Sequence, residues 1–251
     1  MRYSVLAHIL TSLNASLPLD VANFFHFVEF FSGCGILTAA VEAAGLRVRS
    51  YDVLSSKSMD LNSAFGWTLA LNMVRHVVAT GLIWFGIPCS TWIFMSRGSC
   101  RRTWFVPQGM GSARCRNGNR LCRRMCYLLR YAVAKKLYFV IENPTSTLLW
   151  QYGPLRKLLR KIGVMKVSLH LGSYGAFSPK AVTLVGNWPC LRELPLIFTK
   201  ARRTNLRRVR SFLNIKTTTR WKDKQGKQRC AGGKDLKTTQ NYPAGFGIKV
   251  G

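Results

Sequence analysis

Phe25-His26-Phe27-Val28-Glu29-Phe30-Phe31-Ser32-Gly33-Cys34-Gly35-Ile36-Leu37 reads as a strand, a glycine turn and the start of a helix. The aromatic and β-branched run suits a strand over 25–31. Residues 36–44 are Ala-rich with apolar residues at helical spacing, and Gly45 stands where a helix takes its C-terminal cap. Glycines between a strand and a helix let the backbone approach a ligand closely. The helix that follows offers free amide donors at its first turn.

The same alternation extends downstream. Strands are expected over 48–53, 81–87 (ended by Pro88), 138–141 (stopped by Asn143-Pro144), near 164–171 and over 181–186. Helices are expected over 61–79, 120–136 and 148–162, the last broken at Gly153-Pro154, with a long Gly- and Arg-rich loop over 97–118. Such alternation predicts an α/β fold with a Rossmann-like, doubly wound, mostly parallel sheet, whose ligands bind beyond the carboxyl ends of its strands. Residues 26–187 form the main domain on this reading. Residues 1–25 are a lead-in with one helix over 8–14, and 188–251 are a small basic appendage. Within 200–237 there are fourteen Lys or Arg against Asp223 and Asp235, with Phe212 and Trp221 interleaved. A basic tail without a core is the alternative for that segment.

The charge points to a partner. Across 251 residues, 38 Lys and Arg face nine Asp and Glu, a formal net charge of +29. Self-repulsion of that size favours binding a polyanion, and nucleic acid is the expected one. An anionic membrane is the less suited surface, since no basic amphipathic helix stands out and no apolar stretch is long enough to span a bilayer. The apolar run 5–10 is too short for a cleavable signal and is interrupted by His8. Reduced thiols in a nuclear or cytoplasmic compartment are therefore expected. Cys100, Cys115, Cys122 and Cys126 match no common zinc spacing, and no metal site is expected.

Three segments carry chemistry, each just after a predicted strand. Beyond Gly33 and Gly35, Asp52 ends the next strand, at a distance that suits the hydroxyls of a nucleoside ribose. Asp60 is a candidate partner for an adenine amino group. In Gly86-Ile87-Pro88-Cys89, the proline hands the thiol of Cys89 to the mouth of the sheet, where nearby arginines would favour a thiolate. Glu142 closes the apolar run before Asn143 and is the only acidic residue between Asp60 and Glu193. A carboxylate there is expensive unless hydrogen-bonded or functional.

Phe31-Ser32-Gly33-Cys34-Gly35, Pro88-Cys89 and Glu142-Asn143, in this order, resemble the DNA cytosine-5 methyltransferase family, which reads F-x-G-x-G, P-C-Q and E-N-V. The resemblance covers residues 26–187, with an echo at Gln240-Asn241-Tyr242-Pro243 similar to the family's Q-G-F-P. It implies S-adenosylmethionine as cofactor, held by Phe31, Ser32, Gly33, Gly35, Asp52, Asp60 and Pro88. It also implies Cys89 as the nucleophile on C6 of cytosine and Glu142 as the acid at N3. A base inside a duplex is out of reach, so it would be flipped out or presented unpaired, in DNA or in RNA. Arg97, Arg101, Arg102, Arg114 and Arg116 would close over a phosphate backbone, and Lys180, Arg207 and Arg208 would add contacts to it.

The chain also departs from the family. Ser90 replaces its Gln and Pro144 its Val, and only Lys180 is basic where the family has Q-x-R-x-R. The chain stops at Gly251, before the family's last cofactor-side motif. An inactive, nucleic-acid-binding scaffold is therefore the second reading. A nicotinamide enzyme would lack its third glycine, because Thr38 stands there. No Thr-Cys dipeptide supports an RNA methyltransferase, and no H-x-E with P-C-x-x-C supports a zinc deaminase.

Overall fold

The computed structural model describes residues 25–251, so the helix expected over 8–14 lies outside the described residues. Six strands form one sheet in the order β2-β1-β3-β4-β6-β5. They are β1 (Phe25–Phe30), β2 (Val48–Tyr51), β3 (Val77–Phe85), β4 (Tyr138–Pro144), β5 (Met165–His170) and β6 (Ala181–Gly186). The pairs β1–β2, β1–β3 and β3–β4 are parallel, while β6 runs antiparallel to both neighbours. The link between β5 and β6 spans only 171–180, too short for a crossover helix, so these two strands pair antiparallel. The fold is thus mixed α/β with a mostly parallel central sheet.

Strand alternation sorts the core onto two faces. Val28, Phe30, Ile83, Phe85, Phe139 and Ile141 face one layer. That layer also holds buried residues of α2 (Ala64–Arg75), α4 (Ala113–Ala134) and α5 (Gly153–Ile162). Phe27, Trp84, Val140 and Leu184 face the other, against α1 (Ile36–Ala43) and α7 (Ala244–Val250). Phe246 of α7 is fully buried, and Gly247 lets that helix lie against Ala40 and Ile36 of α1. The last residues of the chain therefore belong to the core of the sheet. Between them and β6, α6 (Lys200–Phe212) and the hairpin β7–β8 (Thr218–Lys222 and Gln228–Gly232) carry the basic segment with little apolar burial. The basic stretch is thus a helix and a hairpin, not an unstructured tail.

Several boundaries differ from the sequence expectation: β2 ends at Tyr51, β3 ends at Phe85 before Pro88, and β4 is not stopped by Asn143-Pro144, which pair with Thr183 and Val182 of β6. The helix expected over 61–79 is α2 alone, because Ser63 caps it by accepting from Gly66 N–H and Val77-Val78 already pair with the sheet as β3. The loop expected over 97–118 contains the short helix α3 (Arg97–Cys100) and ends early. Ser112 accepts from Cys115 N–H at 3.1 Å and starts α4 at Ala113.

Candidate active site

The chain leaves β1 toward the edge strand β2 and returns across it to β3, so the carboxyl ends of β1 and β3 flank a topological switch point. A cleft of about 550 Å³ opens there. Its floor begins with the turn after β1, where Phe31, Gly33 and Gly35 have φ of 61°, 55° and 68°. A left-handed backbone at Phe31 costs of order 1–3 kcal/mol and persists because its surroundings fix it. Phe31 N–H donates to Tyr51 O at 2.7 Å, and Asp52 braces the turn that follows. Its carboxylate accepts from Gly33 N–H at 2.8 Å and from Leu54 N–H at 2.7 Å, tying the turns after β1 and β2 together.

Gly35, at the N-terminus of α1, has no side chain to cap the helix. Glu29 of β1 does this from below, accepting from Thr38 N–H at 3.0 Å and from its hydroxyl at 2.5 Å. The other oxygen, Oε1, is buried without a hydrogen-bond partner. Burial, opposed by the Thr38 bonds and reinforced by Asp52, raises the Glu29 pKa to about 7. Between its unfolded value of 4.5 and this value, the fold binds more proton than the unfolded chain. The contribution is complete below the lower value and declines by up to ~1.4 kcal/mol per pH unit on rising toward the upper. Urea midpoints should therefore fall across this window, with a distinctly flatter profile in Glu29→Gln. Parallel profiles for the two proteins would overturn the assignment.

The opposite wall is the turn after β3. Gly86 N–H donates to Phe30 O at 3.0 Å, and a Cβ at Gly86 would meet Phe31 O at 3.2 Å, so the two strand ends touch through backbone. Asn143 Nδ2 donates to Ile87 O at 2.8 Å and fastens the end of β4 to the Pro88-Cys89 turn. Burial pushes the Cys89 thiol up; Lys180 pulls it down and Glu142 pushes it up again. The resting side chain at neutral pH is the thiol.

Glu142 reaches the same cleft. Trp84 Nε1–H donates to Tyr242 Oη at 3.0 Å, and Tyr242 O–H donates to Glu142 Oε2 at 3.3 Å. Burial and the neighbouring Glu142 carboxylate hold the Tyr242 hydroxyl far above its usual range, so it remains a donor. Glu142 Oε1 has no hydrogen-bond partner and lies 3.9 Å from Lys180 Nζ. Tyr242 and Asn143 thus hold the site without having been singled out as site residues. The resemblance around Gln240–Pro243 was the available signal for Tyr242.

Phe31, Ser32, Gly33, Asp52, Pro88, Cys89, Glu142 and Lys180 all line the cleft. Gly35 closes the turn behind it, where a Cβ would meet nothing within 4 Å. Asp60 lies elsewhere: its carboxylate accepts from Asn62 N–H at 2.8 Å in the turn before α2. Arg102 requires a correction. Its guanidinium is buried, donating to Thr91, Pro107, Asn119 and Cys115, and stacks 3.5 Å from the Trp92 ring centroid. No donor is left for phosphate. Arg101, Arg114 and Arg116 are exposed, with Arg116 bonded to Gly111 O, and Arg97 lies on α3.

A second groove, of about 480 Å³, adjoins the cleft at Lys180 and is lined by Arg203, Arg207 and Arg210 of α6. Arg208 is exposed on the same helix but outside that groove. Cys100, Cys115, Cys122 and Cys126 are buried free thiols. Among the described residues, no group of three His, Cys, Asp or Glu is placed to hold a metal ion, and no helix is long and apolar enough to cross a membrane. No protein-family model and no curated protein matches this chain.

Proposed function

We propose that the cleft is the active site of an S-adenosylmethionine-dependent methyltransferase acting on C5 of cytosine in DNA, with RNA as the alternative substrate. The observation that carries this reading is the convergence of Cys89 and an oxygen of buried Glu142 that has no hydrogen-bond partner on one cleft, beside a glycine turn organised by Asp52. A mostly parallel sheet with its cleft at the switch point suits a nucleoside-bearing cofactor.

The residues present fit that cofactor. The cleft has room, the turn at Gly33 and Gly35 is free of Cβ atoms, and Asp52 uses about two of its roughly four lone-pair sites on amides, leaving acceptors for ribose hydroxyls. When bound, the cofactor supplies an electrophilic methyl group. The protein's task is to make C5 nucleophilic. Cys89 loses its proton to solvent, with Lys180 stabilising the thiolate, and adds through sulfur to C6. N3 would take a proton from solvent and donate it in a hydrogen bond to Glu142 Oε1, so the electron pair displaced from the C5–C6 double bond would reside at C5 and be available to the methyl group. Water in the cleft would then take the C5 proton, and the electron pair of that C–H bond would re-form the C5–C6 double bond as Cys89 leaves as the thiolate. The groove at Lys180, Arg203, Arg207 and Arg210 would carry the flanking phosphates.

The inactive-scaffold reading is favoured by one observation, the upward shift of the Cys89 thiol by burial. DNA containing 5-fluorocytosine separates the two readings, because the fluorine cannot be eliminated. With S-adenosylmethionine, a denaturant-stable adduct is expected, absent in Cys89→Ala. No adduct on single-stranded or duplex DNA or on RNA, with nucleic-acid binding retained, would establish the scaffold.

A further inference from the structure

Two exposed aromatic side chains lie side by side at the tip of one turn. Trp104 is 61% exposed and Phe105 91%. The turn is closed by Thr103 N–H to Val106 O at 3.2 Å and by Val106 N–H to Thr103 Oγ1 at 2.9 Å. Its base is clamped by the buried Arg102, which donates to Pro107 O at 2.5 Å on one side and to Thr91 O at 2.7 Å on the other. Thr91 is two residues from Cys89, so the base of this turn is tied to the segment that carries Cys89. A turn held this way presents its rings outward by construction.

The surroundings are cationic. Arg101, Arg114 and Arg116 are exposed on the flanking segments, and the chain has no carboxylate between Asp60 and Glu142. Exposed aromatic faces among arginines, without acids, are what successive unpaired bases and their phosphates require. Paired bases inside a duplex offer no ring face to such a tip, whereas splayed bases do.

We propose that the 103–106 turn is a base-stacking platform, and that the strand entering the cleft is unpaired where it passes Cys89. The inference rests on the nucleic-acid reading above and specifies the form of the substrate.

Binding by the intact protein, without methyl donor, tests it. Fluorescence anisotropy would compare labelled single-stranded and duplex oligonucleotides for the native chain, Trp104→Ala/Phe105→Ala, and the conservative Trp104→Phe/Phe105→Tyr. Single strands should bind the native chain more tightly. The alanine pair should weaken single-strand binding at least about thirtyfold, at ~1–3 kcal/mol for each of two stacked bases. The duplex should be little affected, and the aromatic pair should restore single-strand binding. Equal losses on both forms, or no preference in the native chain, would overturn the platform. So would a loss confined to phosphatidylserine vesicles, which would make the turn a membrane contact. Because no methyl transfer is involved, a missing covalent adduct leaves this result intact, and failure here leaves the adduct test standing.

Discussion

Replacing Arg102 with Leu should lower the stability of the fold by about 3–5 kcal/mol, the range for removing one partner from a buried charged network. Arg102 is 1% exposed, and its guanidinium joins three segments. These are the 3-10 turn after Cys89 through Thr91, the aromatic-tipped turn through Pro107, and α4 through Cys115 and Asn119. Deleting it strands several buried carbonyl acceptors, each costing ~1–3 kcal/mol when unpaired, and removes the cation stacked on Trp92. Burial lowers the pKa of this guanidinium, but its ordinary value is so high that it stays charged. Arg102→Lys should recover little, because a point charge cannot reproduce a planar fork that meets acceptors on several sides. Arg114→Ala on the exposed start of α4 should change stability by no more than ~0.5 kcal/mol. Urea unfolding of the three variants makes the comparison. A loss at Arg102 no larger than at Arg114 would mean the network contributes nothing.

Arg102 also shows where sequence reading ran out. It sits among exposed arginines in a segment that reads as an open basic loop, and nothing local distinguishes it from Arg101. Its burial depends on carbonyls at Thr91 and Cys115 that become neighbours only in three dimensions. The strand-turn-helix at 25–43, by contrast, was legible because strand composition, paired glycines and helical spacing are all local signals. The apolar runs that lead to Cys89 and Glu142 were legible for the same reason, but their ends were not: β3 stops at Phe85, before Pro88, and β4 continues through Asn143 and Pro144, which pair with Thr183 and Val182 of β6. The reversal of β6 was not legible, since strand pattern carries no direction. Tyr242 reaches Trp84 and Glu142 from a hundred residues or more away, and only tertiary packing puts it there.

Glu142→Gln should slow formation of the 5-fluorocytosine adduct by about 10²–10⁴-fold, the usual loss when a positioned acid or base is removed. The argument rests on how its two oxygens differ. Oε2 is held by the Tyr242 hydroxyl, which Trp84 orients in turn, so the carboxyl group cannot swing away. Oε1 is buried in a residue that lines the cleft and has no hydrogen-bond partner. An orphaned carboxylate oxygen is costly in a finished interior and useful where a ligand will complete it. Gln can still accept from Tyr242, so the fold and binding of S-adenosylmethionine should remain near native while covalent chemistry fails. A structural ion pair with Lys180 makes the opposite forecast. Its 3.9 Å separation is at the outer edge of ion-pair contact and is too long for a hydrogen bond. If it were the reason for Glu142, Glu142→Gln and Lys180→Met would lose stability equally and adduct rates would follow stability. Rapid-quench kinetics beside urea unfolding distinguish the two. A large rate loss at native stability assigns Glu142 to the reacting base, and a rate loss that merely tracks unfolding assigns it to the scaffold.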